Sequence, residues 1–239
     1  MTTNKYEAIL LDLDGTLIDI DLDKFIAAYV VALAGRFTDY IDDMAFADHL
    51  FAATSVMVKN NDPRMKNRDV FYEEFCSRIG YSLKEIEPII DHFYQNDFPR
   101  LSRFGRPLPT SKVVVETIRG KKLPLVLATN PIFPPEAVYQ RVLWADLSTD
   151  QFDLITNMNN MHFCKPNHNY YLEIAEKIGI PPDRCLMAGN DTVEDLVASE
   201  VGMKTFLVDD HILDRSGGEP ISDFRGSLKE LARFLNKLN

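Results

Sequence analysis

Two carboxylates, Asp12 and Asp14, follow directly on the apolar run Ala8-Ile9-Leu10-Leu11 and are separated only by Leu13. Residues two apart on an extended segment project to the same side, so both can face one cleft, and Gly15 lets the backbone turn sharply behind them. The apolar run reads as a buried strand, and open α/β sheets hold their ligands at the carboxyl ends of strands. Such a pair suits metal-assisted phosphoryl chemistry. One carboxylate attacks, the other exchanges a proton with the leaving oxygen, and a hard cation bound by oxygen ligands offsets the charge that would repel a phosphate.

Three more groups stand where strands should end. Thr129-Asn130 closes the run Leu125 to Ala128 and offers a hydroxyl and backbone amides to a phosphate oxygen, although Thr-Asn-Pro is also an ordinary turn. Lys165-Pro166 precedes the helical pattern of Tyr170, Tyr171, Ile174 and Ile178, placing a fixed cation at a helix entrance; in isolation it would read as a solvated lysine. Gly189-Asn190-Asp191-Thr192-Val193-Glu194-Asp195 follows the strand ending at Ala188 and gathers oxygen ligands suited to a cation. Thr192 and Asp195 also have the spacing of a helix N-cap and its third residue, a role that needs no metal.

The elements that must position these groups are legible in the apolar pattern. From about Asp23 to Phe104 it is helical: Phe25, Tyr29, Leu33 and Phe37 recur every fourth residue, as do Phe71, Phe75 and Ile79 before Gly80. Ser82 and Glu85 have capping-box spacing, but Pro88 lacks a backbone donor, so that helix is expected to start near Pro88. From Ser111 onward, helical stretches alternate with strand-like runs at 125–128, 154–155, 186–188 and 205–208, which predicts a parallel sheet covered by helices. Ser227 and Glu230 form a second capping box ahead of Leu228, Leu231, Leu235 and Leu238. The expected architecture is a doubly wound α/β core of residues 1–18 and 108–239, with a helical insertion at 19–107 returning through Gly105-Arg106-Pro107-Leu108-Pro109.

Composition sets the bounds. With 239 residues, 46% of them hydrophobic, the chain can bury a full core. A net charge of −10 argues against a general nucleic-acid binder, because phosphate-backbone affinity needs a basic surface. Without a run of membrane-spanning length or a leader-like N-terminus, the expected location is the cytoplasm, away from membranes. Cys76, Cys164 and Cys185 are isolated thiols without zinc-ligand spacing, which suits reduced side chains; Cys164 beside Lys165 reads as a small semi-buried residue.

The order DLDGT, a strand-ending Thr-Asn, Lys-Pro and GNDTVED resembles the four motifs of the haloacid dehalogenase-like hydrolase superfamily over nearly the whole chain. The helical insertion resembles the cap of the branch that includes phosphoglycolate phosphatase and β-phosphoglucomutase. The resemblance implies a Rossmann-like core and hydrolysis of a small phosphorylated metabolite, with magnesium as cofactor. It makes Asp12 the nucleophile that forms an aspartyl-phosphate, and Asp14 the general acid and base. Thr129 and Lys165 hold the phosphoryl group, which binds among Asp12, Leu13, Asp14, Thr129, Asn130 and Lys165. The metal falls to Asp12, Asp14 and the fourth motif. There Asn190 stands where an aspartate is usual, so two registers fit, Asn190 with Asp195 or Asp191 with Asp195. An amide oxygen can ligate magnesium but adds no charge, which Asp191 would supply directly or through water.

Asp14 separates phosphate chemistry from carbon-halogen cleavage, because the dehalogenases of this superfamily lack an acid there. The alternatives are a phosphosugar mutase, disfavoured by the stretch Thr16 to Asp21, and a non-catalytic phosphate-binding or receiver-like signalling module, disfavoured by Gly15-Thr16 and the long insertion. Lys59, Arg64, Lys66 and Arg68, with Arg100, Arg103 and Arg106, read as either steering charges for an anionic substrate or a solvated surface. The five histidines show no ligand spacing. A monomer or a homodimer fits an acidic soluble chain of this size.

Overall fold

The computed structural model describes residues 6–238. Its centre is a parallel sheet of six strands in the order β5-β4-β1-β6-β7-β8. The strands are β1 (Ala8–Leu11), β4 (Leu125–Leu127), β5 (Leu154–Ile155), β6 (Cys185–Gly189), β7 (Lys204–Val208) and β8 (Phe224–Gly226). The register is continuous across the middle of the sheet, with Leu11 beside Leu127 on one side and Ala188 on the other. β1 is buried on both faces, and its alternation divides two apolar clusters. Ile9 and Leu11 pack on one face with Val114, Ile118, Leu231 and Leu235, whereas Ala8 and Leu10 pack on the other with Tyr170, Tyr171 and Ile174.

Helices cover both faces of the sheet. α5 (Pro109–Gly120) and α8 (Leu228–Asn236) lie on the first, and α7 (His168–Ile178) on the second. This is the doubly wound, Rossmann-like arrangement expected from the alternation of helical and strand-like runs. α8 begins at the Ser227–Glu230 capping box, and its buried Leu228, Leu231 and Leu235 recur at helical spacing.

A second, two-stranded antiparallel sheet pairs β2 (Ile18–Ile20) with β3 (Gly105–Pro107). Between these strands the chain runs through α1 (Leu22–Ala34), α2 (Asp43–Val58), α3 (Asn67–Ile79), α4 (Leu83–Asn96) and a 3-10 stretch, Phe98–Phe104. Phe25, Tyr29, Phe93 and Phe98 interlock by edge-on ring contacts, and their cluster reaches Phe133 and Trp144 of the sheet-bearing part. Trp144 stacks on Phe98 at 5.3 Å. The start of α3 also docks: Asn67 donates through its backbone to Met161 O (2.9 Å) and through Nδ2 to Phe163 O (3.3 Å).

α4 corrects an expectation. It starts at Leu83, five residues ahead of Pro88, because Glu85 Oε2 accepts from the Ser82 backbone N (2.8 Å) and Oγ (2.6 Å). Once the capping box fixes the first turn, Pro88 costs the helix one backbone bond without ending it. No helix among the described residues is long and apolar enough to cross a membrane.

Candidate active site

Four loops at the carboxyl end of the sheet meet in a cleft of about 660 Å³. The first leaves β1 at Asp12, whose backbone N donates to Ala188 O (2.9 Å) and so is held in line with β6. The buried Leu13 then turns the chain: its carbonyl accepts from the backbone N of Leu17 at 2.8 Å and of Ile18 at 3.1 Å. Gly15 has φ +80°, and an added Cβ would lie 2.3 Å from Asn190 Nδ2, so this turn and the fourth motif require each other's shape. Thr16 Oγ1 donates to Asn190 Oδ1 (3.0 Å), and Asn190 Nδ2 donates to His211 O (2.7 Å). Asn190 therefore ties the first loop to the fourth.

Lys165 lies at the centre. It is 1% exposed, and Nζ donates to Asp12 Oδ1 at 2.8 Å and to Asp195 Oδ1 at 2.6 Å. Burial draws the lysine pKa down, but the two carboxylates outweigh it and hold the ammonium well above the usual lysine range. The carboxylates share this one cation. Burial, only partly opposed by Lys165, raises the pKa of Asp12 and pushes that of Asp195 up to about 7. Asp195 does not act as the third residue of a capped helix, as its spacing allowed. Its carboxylate turns inward, accepting from Asp191 N (2.9 Å), and passes so close to Gly189 that a Cβ there would sit 2.1 Å from Oδ2. Asp191 caps the turn instead: its Oδ1 accepts from Val193 N (2.8 Å) and Glu194 N (2.9 Å).

Thr129 and Asn130 lie on the cleft wall at the end of β4. Thr129 is fixed through its carbonyl, which accepts from Thr156 Oγ1 (2.7 Å) and Tyr170 OH (2.9 Å). The Asn130 side chain accepts from Lys165 N (3.2 Å) and donates to Glu194 Oε2 (3.1 Å), joining the second, third and fourth motifs. Every sequence-selected site residue other than Leu13 and Lys165 lines this cleft; Leu13 shapes the turn beneath it, and Lys165 reaches its wall from behind through Asp12 and Asp195.

Two arginines had escaped notice. Arg141 stands on α6 (Pro135–Trp144), on the same face as the buried Ala137, Val138 and Val142. That shared spacing is the one signal in the sequence that could have marked it. It is 2% exposed, lies 4.7 Å over the Phe133 ring, and donates through Nη1 to Asp14 Oδ2. Its Nε and Nη2, with Asp14 Oδ1, are buried without a protein partner. Arg215 lies 3.3 Å from both Asp191 Oδ2 and Glu194 Oε1. By contrast, neither basic stretch of the insertion lines the cleft. Arg64 pairs with Asp62, Arg68 with Glu87, and Arg100 with Asp97. Cys164 is buried, and burial pushes its thiol far above the usual range, so it behaves as a small apolar group.

The donor set fits an oxygen-ligated cation. Among the described residues no three side chains of His, Cys, Asp or Glu converge on one point. Magnesium, however, binds through one or two carboxylates and keeps several waters. Asp12, Asp14 and Asn190 face the cleft together, and Asp14 Oδ1 is a buried oxygen still lacking a partner.

Residues 6–200 match the family described as haloacid dehalogenase-like hydrolase. The chain is 25% identical over 224 residues to a phosphoglycolate phosphatase of Vibrio vulnificus, covering 93% of this chain and 90% of that one. It is also 25% identical over 213 residues to an N-acetylmuramic acid 6-phosphate phosphatase of Pseudomonas aeruginosa, covering 87% and 84%. In fold it is similar to a HAD phosphatase from Thermococcus onnurineus, with a TM-score of 0.60, 18% identity and 96% and 97% of the two chains covered. The family match spans the strand, both carboxylates of the first loop, Lys165 and the whole fourth loop, and the chain belongs to the haloacid dehalogenase-like hydrolases.

Proposed function

We propose that the protein is a phosphatase that hydrolyses a small phosphomonoester through an aspartyl-phosphate on Asp12. The observation that carries this reading is the shared cation: buried Lys165 bridges Asp12 and Asp195 at the mouth of strands β1 and β6, with Asp14 held two residues away by Arg141. A carboxylate is repelled by a phosphate, and a fixed ammonium beside it lowers that barrier where solvent screening is weak.

In the first step, an Asp12 oxygen attacks phosphorus as the bond to the leaving oxygen breaks, and Asp14 gives that oxygen a proton. Asp14 then takes a proton from water, which attacks the phosphorus of the acyl-phosphate, releasing phosphate and restoring Asp12. Thr129 Oγ1 and Lys165 bind the phosphoryl oxygens, and Arg141 fixes the rotamer of Asp14. Magnesium held by Asp12, Asp14 and Asn190 would neutralise phosphate charge. In this reading Asp195 is Lys165's counter-ion and Asp191 a turn cap, so neither needs to ligate the metal. The insertion at 19–107 is the cap of a core formed by 1–18 and 108–239, and the activity belongs to the cytoplasm, where unpaired thiols persist.

The test is phosphate release from p-nitrophenyl phosphate and a metabolite panel, with magnesium or with chelator. Turnover that needs magnesium and disappears in Asp12→Asn is expected. A folded protein that releases phosphate from none of the compounds would overturn the proposal.

A further inference from the structure

The two ends of the cleft differ in chemistry. The cations at the cleft stand on the strand-end side: Lys165 is engaged behind the wall by Asp12 and Asp195, Arg215 by Asp191 and Glu194, and Arg141, on α6, by Asp14 through Nη1 while its Nε and Nη2 lack a partner. The opposite wall comes from α1 and α2 and consists of Ile26, Ala27, Val30, Val31 and Phe51, facing Phe133. Among the described cleft residues, the one charged side chain supplied by those helices is Asp23, an acid. Val31 is 73% exposed and Phe51 is 52% exposed, so two large apolar groups sit open to water at the cleft rim. An exposed apolar patch beside a polar catalytic centre is the mark of a binding surface. A second cavity of about 80 Å³ continues this wall inward, sharing Ile26, Val30, Phe51 and Phe133 with the cleft.

We infer that the alcohol half of the substrate is apolar: the phosphomonoester carries an alkyl or aryl group that lies on Ile26, Val30, Val31 and Phe51. This inference rests on the phosphomonoester reading of the same site. A carboxylate or second phosphate laid on this wall would meet apolar side chains and Asp23, with no cation supplied by α1 or α2 to replace its water. A polyol would leave its hydroxyls facing methyl and ring surfaces without hydrogen-bond partners. An alkyl or aryl group gains from the same surface in proportion to the area it removes from water.

The experiment is a homologous series of n-alkyl phosphates from methyl to hexyl, with benzyl phosphate, glycerol phosphate and phosphoglycolate. All are esters of alcohols of similar acidity, so differences in kcat/KM report binding of the alcohol half. The expected rise is about two- to four-fold per methylene, with benzyl phosphate above both polar esters, and a flattened series in Val31→Lys and Phe51→Ser. A flat series, or faster turnover of glycerol phosphate or phosphoglycolate, would overturn it. Calorimetry with the matching alkylphosphonates in magnesium separates this inference from the reading beneath it. Affinity rising with chain length in a protein that hydrolyses nothing supports the apolar subsite and defeats the phosphatase; turnover with no chain-length dependence in either assay does the reverse.

Discussion

At the strand ends polar side chains are buried in mutual contact, with one ammonium between two carboxylates and an asparagine joining three loops. Across the cleft, α1 and α2 present aliphatic and ring surface, and among the described residues the one charged lining side chain they supply is an acid, Asp23. The first region is cross-braced: Lys165 joins Asp12 to Asp195, Asn130 joins Lys165 to Glu194, and Asn190 meets Thr16, so a change at one motif is felt at another. The second is held by ordinary packing and can change its residues without moving the reacting atoms. On the proposed function, chemistry and selectivity belong to different layers of the molecule, one built on strand termini and one on helices inserted between β2 and β3.

That contrast can be broken most forcefully at Asp14. Asp14→Asn should lower kcat/KM on an alkyl phosphate by about 10²- to 10⁴-fold, and by much less on p-nitrophenyl phosphate, whose leaving oxygen needs no proton. Equal losses on both substrates would remove the acid role.

Lys165→Met should cost about 3–5 kcal/mol of stability, because it leaves two buried carboxylates facing one another. The pH dependence has a definite sign. Asp195 titrates at about 7 in the folded protein, above its ordinary value of about 3.9. The native state therefore binds the extra proton between those limits, and this group makes stability fall as pH rises through that window. Urea midpoints in chelator at about pH 5 and pH 8 should show the Lys165→Met deficit growing at the higher pH; a pH-independent deficit would contradict the shared-cation description.

Arg141→Lys keeps the charge but loses the planar guanidinium. A fall in kcat on the order of ten- to a hundred-fold with KM nearly unchanged is expected if Arg141 positions Asp14, whereas a rise in KM alone would place it in ground-state binding.

Within the helical layer, Arg36 grips Asp97 through two bonds of 2.7 Å. Asp97→Asn should lower the denaturation midpoint only slightly, because the arginine of the pair is solvent-exposed, while kcat stays within two-fold, because this pair lies away from the cleft. The smallest effect belongs to Arg64, Lys66 and Arg68 neutralised together. Their loop is tied to the core by backbone bonds, and two of the three are already paired. The salt dependence of kcat/KM should be unchanged; a flattened one would restore their steering role.

The strand-end region was largely readable from the chain because a strand terminus is a local signal: Asp12, Thr129, Lys165 and Asn190 each follow an apolar run or precede a helical one. The order of those runs carried the doubly wound core, and Leu228, Leu231 and Leu235 carried its last helix. The pairings were not readable. Arg141 meets Asp14 across 127 positions, and Lys165 meets Asp12 across 153, distances over which no periodicity speaks. β2 and β3 are three residues each and exist through pairing with one another, so neither has a pattern of its own. Pro88 misled for a related reason: its missing donor is a local fact, while the capping box and the burial of Ile86, Ile90 and Phe93 decide the helix. The apolar cleft wall was equally hidden, because Val30 and Phe51 at helical spacing look like core until the facing cleft is seen.

The most direct measurement is mass spectrometry of the acid-quenched protein after millisecond mixing with a phosphomonoester in magnesium. A single phosphoryl adduct on the peptide containing Asp12, absent from Asp12→Asn, is the expected result. Steady turnover with no adduct at any time, persisting in Asp12→Asn, would contradict the central assignment.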